Sequence, residues 1–131
     1  MHAPHSSHTR ILAFDDDSVL LQRMQQSLAD GGYAALTSTE WDRAPEVIAQ
    51  MQPALVIIDP SPGHESRGWK TLDVLKHVEE VQRIPAIVYS GAAHELDRDA
   101  RVLEQFGVRV LPRPVDLEDL PRQVGEVLAA H

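Results

Sequence analysis

Four apolar runs in this chain end on residues suited to phosphoryl chemistry. Ile11-Leu12-Ala13-Phe14 stops at Asp15-Asp16-Asp17, and Leu55-Val56-Ile57-Ile58 stops at Asp59. Pro85-Ala86-Ile87-Val88-Tyr89 stops at Ser90-Gly91, and Val108-Arg109-Val110-Leu111 leads into Pro112-Arg113-Pro114. Carboxylates brought close together repel, and the pKa of at least one of them rises. A divalent cation removes that conflict. Mg2+ prefers oxygen ligands and commonly takes one or two carboxylates, with waters and a phosphate oxygen completing an octahedron. Within such a cluster an Asp carboxylate can act as nucleophile and form an aspartyl phosphate. Ser90 would supply a hydroxyl donor, Gly91 room for the incoming group, and Arg113 a cation facing the phosphoryl oxygens.

Each residue taken alone has a plainer reading. Asp17 reads as a helix cap or a solvated neighbour, Ser90 as a turn residue, and Arg113 as a surface cation. Asp59, placed before a Pro-rich loop, reads as turn chemistry. What joins them is position, because all lie at the ends of β-type runs. In an open parallel sheet the carboxyl ends of the strands share one edge, and ligands bind there.

The elements that must position these residues alternate from Arg10 onward. Leu20, Met24 and Leu28 mark an amphipathic helix after the first strand, with Ser18 as its expected N-cap and Asp30-Gly31-Gly32 as its stop. Tyr33 to Thr37 is a weaker second strand. Ala44, Val47, Ile48 and Met51 mark a second helix, ended by Pro53. Ala54 to Ile58 is apolar throughout, as expected of a strand covered on both faces. Pro60 to Gly68 reads as a loop, and Leu72, Leu75 and Val78 mark a third helix. Leu96, Leu103 and Phe106 mark a fourth, stopped by Gly107. Leu117, Leu120, Val124, Val127 and Leu128 mark the last, with Pro121 early enough to be tolerated. Five β–α units with parallel strands predict a three-layer α/β sandwich.

Bulk properties narrow the function classes. The 131 residues suit one domain, expected over 10–131 after a flexible tail, 1–9. The tail's His2, His5 and His8 read as incidental rather than metal-binding. Net charge is −8, from 20 acids and 12 Lys or Arg, which argues against direct binding to nucleic acid or anionic lipid. Cysteine is absent, which removes disulfides and thiolate metal sites. No apolar run approaches the roughly 20 residues of a membrane span, and the N-terminus lacks a secretory pattern. The expectation is a cytoplasmic protein that does not enter membranes.

At this point the chain resembles the receiver domain of two-component response regulators, over 10–131. The segments that carry the likeness are ILAFDDD, PALVIIDPSPG, IPAIVYSG and VRVLPRPVDLEDL. The resemblance implies a flavodoxin-like (βα)5 fold with sheet order 2-1-3-4-5. It implies Asp15 and Asp16 as Mg2+-binding acids, Asp59 as phosphoacceptor and metal ligand, and the Ser61 backbone carbonyl as a further ligand. Ser90 stands for the family's switch hydroxyl, usually Thr, and Arg113 for its Lys. It also implies a cis Arg113–Pro114 bond, which X–Pro bonds permit. A histidine kinase or phosphotransfer protein would donate the phosphoryl group, and an unknown downstream protein would read it. The reading surface would comprise the helix over 96–106, the fifth strand and the last helix.

Three departures bear on that expectation. Arg is longer and planar and is not a conservative replacement for Lys. Val110 stands where the family carries an aromatic switch residue. The loop after Asp59 places Pro60 one residue early and Gly68 one residue late. These leave the nucleophile in place and bear on the conformational response.

Other classes remain in competition. A pseudo-receiver would keep the fold for protein binding alone, with Arg113 permanently paired to Asp59. A haloacid-dehalogenase-type phosphatase would use Asp15-Asp16-Asp17-Ser18-Val19 as its nucleophile motif, with Asp15 as nucleophile, Asp17 as general acid and Ser90 as second-motif hydroxyl. That family needs a later Lys, and the C-terminal third has none; Asp59 would also be left unexplained. A flavin module would need a phosphate-cradling loop after the first strand, where three acids would repel the phosphate.

Overall fold

A computed structural model describes residues 9–60, 65–77, 83–90 and 107–130. Five strands, β1 (Arg10–Asp15), β2 (Ala34–Ser38), β3 (Leu55–Asp59), β4 (Ala86–Ser90) and β5 (Val108–Pro112), pair in parallel in the order β2-β1-β3-β4-β5. The described helices are α1 (Ser18–Asp30), α2 (Ala44–Met51), α3 (Glu65–His77) and α4 (Leu120–Ala130), with a 3-10 turn at Trp41–Arg43 leading into α2. The helix expected over 96–106 lies outside the described residues, as do Val78, Ser61, Gly91 and the 1–8 part of the tail.

The central strands are apolar on both faces, and alternate side chains divide between two cores. Leu12, Phe14, Val56, Ile58, Ala86 and Val88 pack with Trp41, Ala44, Val47 and Ile48 near α2 and with Leu72 and Leu75 of α3. Ile11, Ala13, Leu55, Ile57, Ile87 and Tyr89 pack with Leu21, Met24 and Leu28 of α1 and with Leu120, Val124 and Val127 of α4. Three layers follow, with α2 and α3 on one side and α1 and α4 on the other.

Local chemistry corrects three expectations. The N-cap of α1 is Asp17 rather than Ser18: its Oδ1 accepts from the Val19 and Leu20 amides at 2.9 and 3.2 Å. Both residue types can cap, but a carboxylate also gains from the positive end of the helix dipole. Second, α3 begins at Glu65, so Arg67 and Gly68 lie in its first turn instead of in a loop. Gly68 allows this, because a Cβ there would sit 2.9 Å from Pro60 Cγ and 3.1 Å from Ile58 Cγ2. Third, Leu117 precedes α4, and Asp116 Oδ1 accepts from the Glu118 and Asp119 amides in a turn before the helix. Arg113–Pro114 is cis, as expected.

Candidate functional site

The sheet register builds the site. Asp15 and Asp59, the last residues of β1 and β3, are Cα partners in the ladder, which sets their backbones about 4.8 Å apart. They are 2% and 3% exposed. At the same edge Ser90 pairs with Pro112 across β4 and β5, so the chain after β5 delivers Arg113 to the acids. Arg113 Nε donates to Asp59 Oδ1 at 2.9 Å, and both side chains are largely buried.

Burial gives the two acids unusual properties. Asp15 Oδ1 accepts from the Asp17 amide at 2.9 Å, while its buried Oδ2 has no hydrogen-bond partner. Loss of hydration pushes the Asp15 carboxyl up to about 7; the Asp17 amide opposes this and the Asp59 charge adds to it. Burial also raises Asp59, against the stabilising pull of Arg113. In this dry edge position Asp59 meets the Arg113 guanidinium, while Asp15 meets the Asp17 amide.

Asp16 has a different environment. Its Oδ1 accepts from Trp41 Nε1 at 2.6 Å, and Arg67 Nη1 lies 3.0 and 3.2 Å from its two oxygens. Trp41 is held against Phe14, with ring centroids 5.6 Å apart. Sequence reasoning names neither Trp41 nor Arg67 as a site residue, and both reach Asp16 from elements that follow other strands. Asp17 is committed to capping α1. Val110 packs, half-buried, against the core formed with α2 and α3.

These residues meet the demands of a hard cation in part. Asp15 and Asp59 offer paired carboxylate oxygens, one of them buried and unsatisfied, the kind of donor set Mg2+ takes with waters and a phosphate oxygen. Among the described residues no three His, Cys, Asp or Glu side chains gather around one point, and Asp16 is engaged by Arg67 and Trp41 instead. Ser61 lies outside the described residues. The pair Asp15 and Asp59 would hold the ion, with Asp16 available only on leaving its present partners.

The chain aligns with a response regulator from Desulfuromonas acetoxidans at TM-score 0.72 and 20% identity, covering 92% of this chain and 97% of that one. The apo receiver domain of nitrogen regulatory protein C aligns at 0.75 and 21%, covering 95% and 98%. The chemotaxis response regulator CheY4 of Vibrio cholerae aligns at 0.69 and 19%, covering 91% and 98%. The fold is that of a response-regulator receiver domain. No protein-family model and no curated protein matches the sequence. Within this receiver fold, Asp15, Asp59 and Arg113 are neighbours, Ser90 contributes its backbone to the same edge, and Asp16 is tied to α3. No described helix is long and apolar enough to cross a membrane.

Proposed function

We propose that this chain is a phosphoacceptor receiver in a two-component phosphorelay. It takes a phosphoryl group from a histidine kinase or a histidine phosphotransfer protein onto Asp59, in the cytoplasm. The observation that carries the reading is the pairing of Asp15 with Asp59 at the carboxyl edge of the sheet, with Arg113 Nε 2.9 Å from Asp59. An Asp59 oxygen attacks phosphorus; the O–P bond forms as the P–N bond of the donor phosphohistidine breaks, and the imidazole leaves with the electron pair and takes up a proton. A Mg2+ ion bound by Asp15 and Asp59 would supply positive charge to the phosphoryl oxygens. Arg113 is placed to follow the phosphoryl group, since its guanidinium binds phosphate as readily as carboxylate. Ser90 would contribute its hydroxyl. The Asp59 carboxylate gives way to an acyl phosphate carrying about −1.5 to −2 of charge, a net gain of about one negative charge at most, and a downstream protein reads the change through β5 and α4. On this reading the chain signals by contact and is not a turnover enzyme.

The Arg113–Asp59 ion pair favours one other reading, a pseudo-receiver in which this contact permanently replaces the signal. Intact-mass measurement after incubation with acetyl phosphate and Mg2+ separates the two. The phosphoacceptor gives one hydroxylamine-labile adduct that is absent from Asp59→Asn. An unmodified chain that retains its fold supports the pseudo-receiver.

A further inference from the structure

We propose that Arg67 is a built-in rival of the divalent cation, holding Asp16 away from the ion until the ion displaces it. The inference rests on reading Asp15, Asp16 and Asp59 as the cation-binding acids. Asp16 is the third acid at this edge, yet both its oxygens lie within 3.2 Å of Arg67 Nη1, and Trp41 Nε1 occupies Oδ1 at 2.6 Å. Asp15 Oδ2, by contrast, is buried without a partner. The edge thus presents a vacant oxygen on one acid and an occupied pair on its neighbour. A cation bridging both must take Asp16 from a guanidinium on α3, and its affinity is lowered by the strength of that contact.

Arg67 is well suited to such a role. It lies in the first turn of α3, a helix that Gly68 lets sit close to Pro60 and Ile58, so its approach to Asp16 is set by packing. The pair is nonetheless partly exposed, at 45% for Arg67 and 26% for Asp16. Contacts of this kind are weak enough to exchange. Arg67 is therefore a positioning residue: it sets where Asp16 points and never needs to touch a phosphoryl group.

The test is calorimetric titration of the full chain with MgCl2 or MnCl2 alone, without a phosphodonor. Arg67→Ala is expected to tighten binding about three- to fivefold, the worth of a partly exposed ion pair. Arg43→Ala removes a similar charge from the turn that begins at Trp41, where Arg43 Nη1 lies 3.9 Å from Glu40 Oε1, and is expected to leave binding unchanged. In a Trp69→Phe background, Trp41 emission should change along the same titration, because its indole partner is being taken. Equal affinity in wild type and Arg67→Ala overturns the rivalry and leaves the cation site standing. Equal tightening in Arg67→Ala and Arg43→Ala also overturns it, since a general field then suffices. No binding in any variant removes both the rivalry and the cation reading.

Discussion

Replacing Asp15 with Asn should stabilise the protein at alkaline pH in the absence of divalent cations. Asp15 is raised from 3.8 to about 7 in the folded state. A carboxyl raised in this way supports folding fully below its unfolded value, and that support is lost as pH climbs through the folded one. The wild type therefore weakens between about pH 4 and pH 7 and levels off above. At about 1.4 kcal/mol per pH unit, the displacement sets a ceiling of about 4 kcal/mol on the strain held at pH 8. Asn keeps an oxygen for the Asp17 amide and places an amide where Oδ2 stands, able to donate to Asp59. It loses the charge-assisted part of the Asp17 contact, worth about 1–2 kcal/mol. The expected gain for Asp15→Asn is roughly 2–3 kcal/mol at pH 8, shrinking toward zero or reversing at pH 4. Urea unfolding in EDTA at both values measures this; a gap of that size moves the midpoint by about 1 M for typical small-domain slopes. A wild type equal to or more stable than the variant at pH 8, or a gap that ignores pH, would refute the account of a strained acid pair.

Two further outcomes follow from the same geometry. Arg113→Met should destabilise by about 2–4 kcal/mol at pH 8, because it strands a buried carboxylate, with a smaller loss toward acidic pH, since burial raises the Asp59 carboxyl. The Asp59→Asn/Arg113→Met double variant should recover most of it in a double-mutant cycle, and simple additivity of the two single changes would speak against the pair. Gly68→Ala should destabilise by about 1 kcal/mol despite better helix propensity, since its Cβ meets the Pro60 ring at 2.9 Å; thermal unfolding that shows a net gain would contradict that packing.

The strands could be read from the chain because buried parallel strands are apolar on both faces, a strong and local signal; their order followed from the resemblance to receiver domains and not from that pattern. The acids Asp15 and Asp59 could be read for the same reason, since each terminates such a run. The position of α3 was harder to read. Pro60, Pro62, Gly63 and Gly68 look like loop chemistry, and the apolar spacing of Leu72 and Leu75 starts a turn too late to reveal a helix beginning at Glu65. Arg67 was lost with that turn. Its contact with Asp16 spans 51 residues and Trp41's spans 25, and no periodicity encodes a pairing of that kind. Both Ser18 and Asp17 could be read as caps of α1, standing side by side, and the extended backbone at Asp17 gives it the role. The Arg113–Asp59 contact was anticipated in kind, because both ends of it lie at strand termini that the sheet order brings together.

Asp15 and Asp59 stand on one rung of the ladder, so backbone hydrogen bonds and not side-chain preference govern the gap between them. Loop insertions, helix shifts and surface changes leave that gap alone. The positive partners come from outside the ladder, Arg67 from a helix and Arg113 from a connecting segment, and each can be exchanged without disturbing a strand. A chain built this way can have the basic partners of its acids changed residue by residue while the acidic scaffold stays fixed.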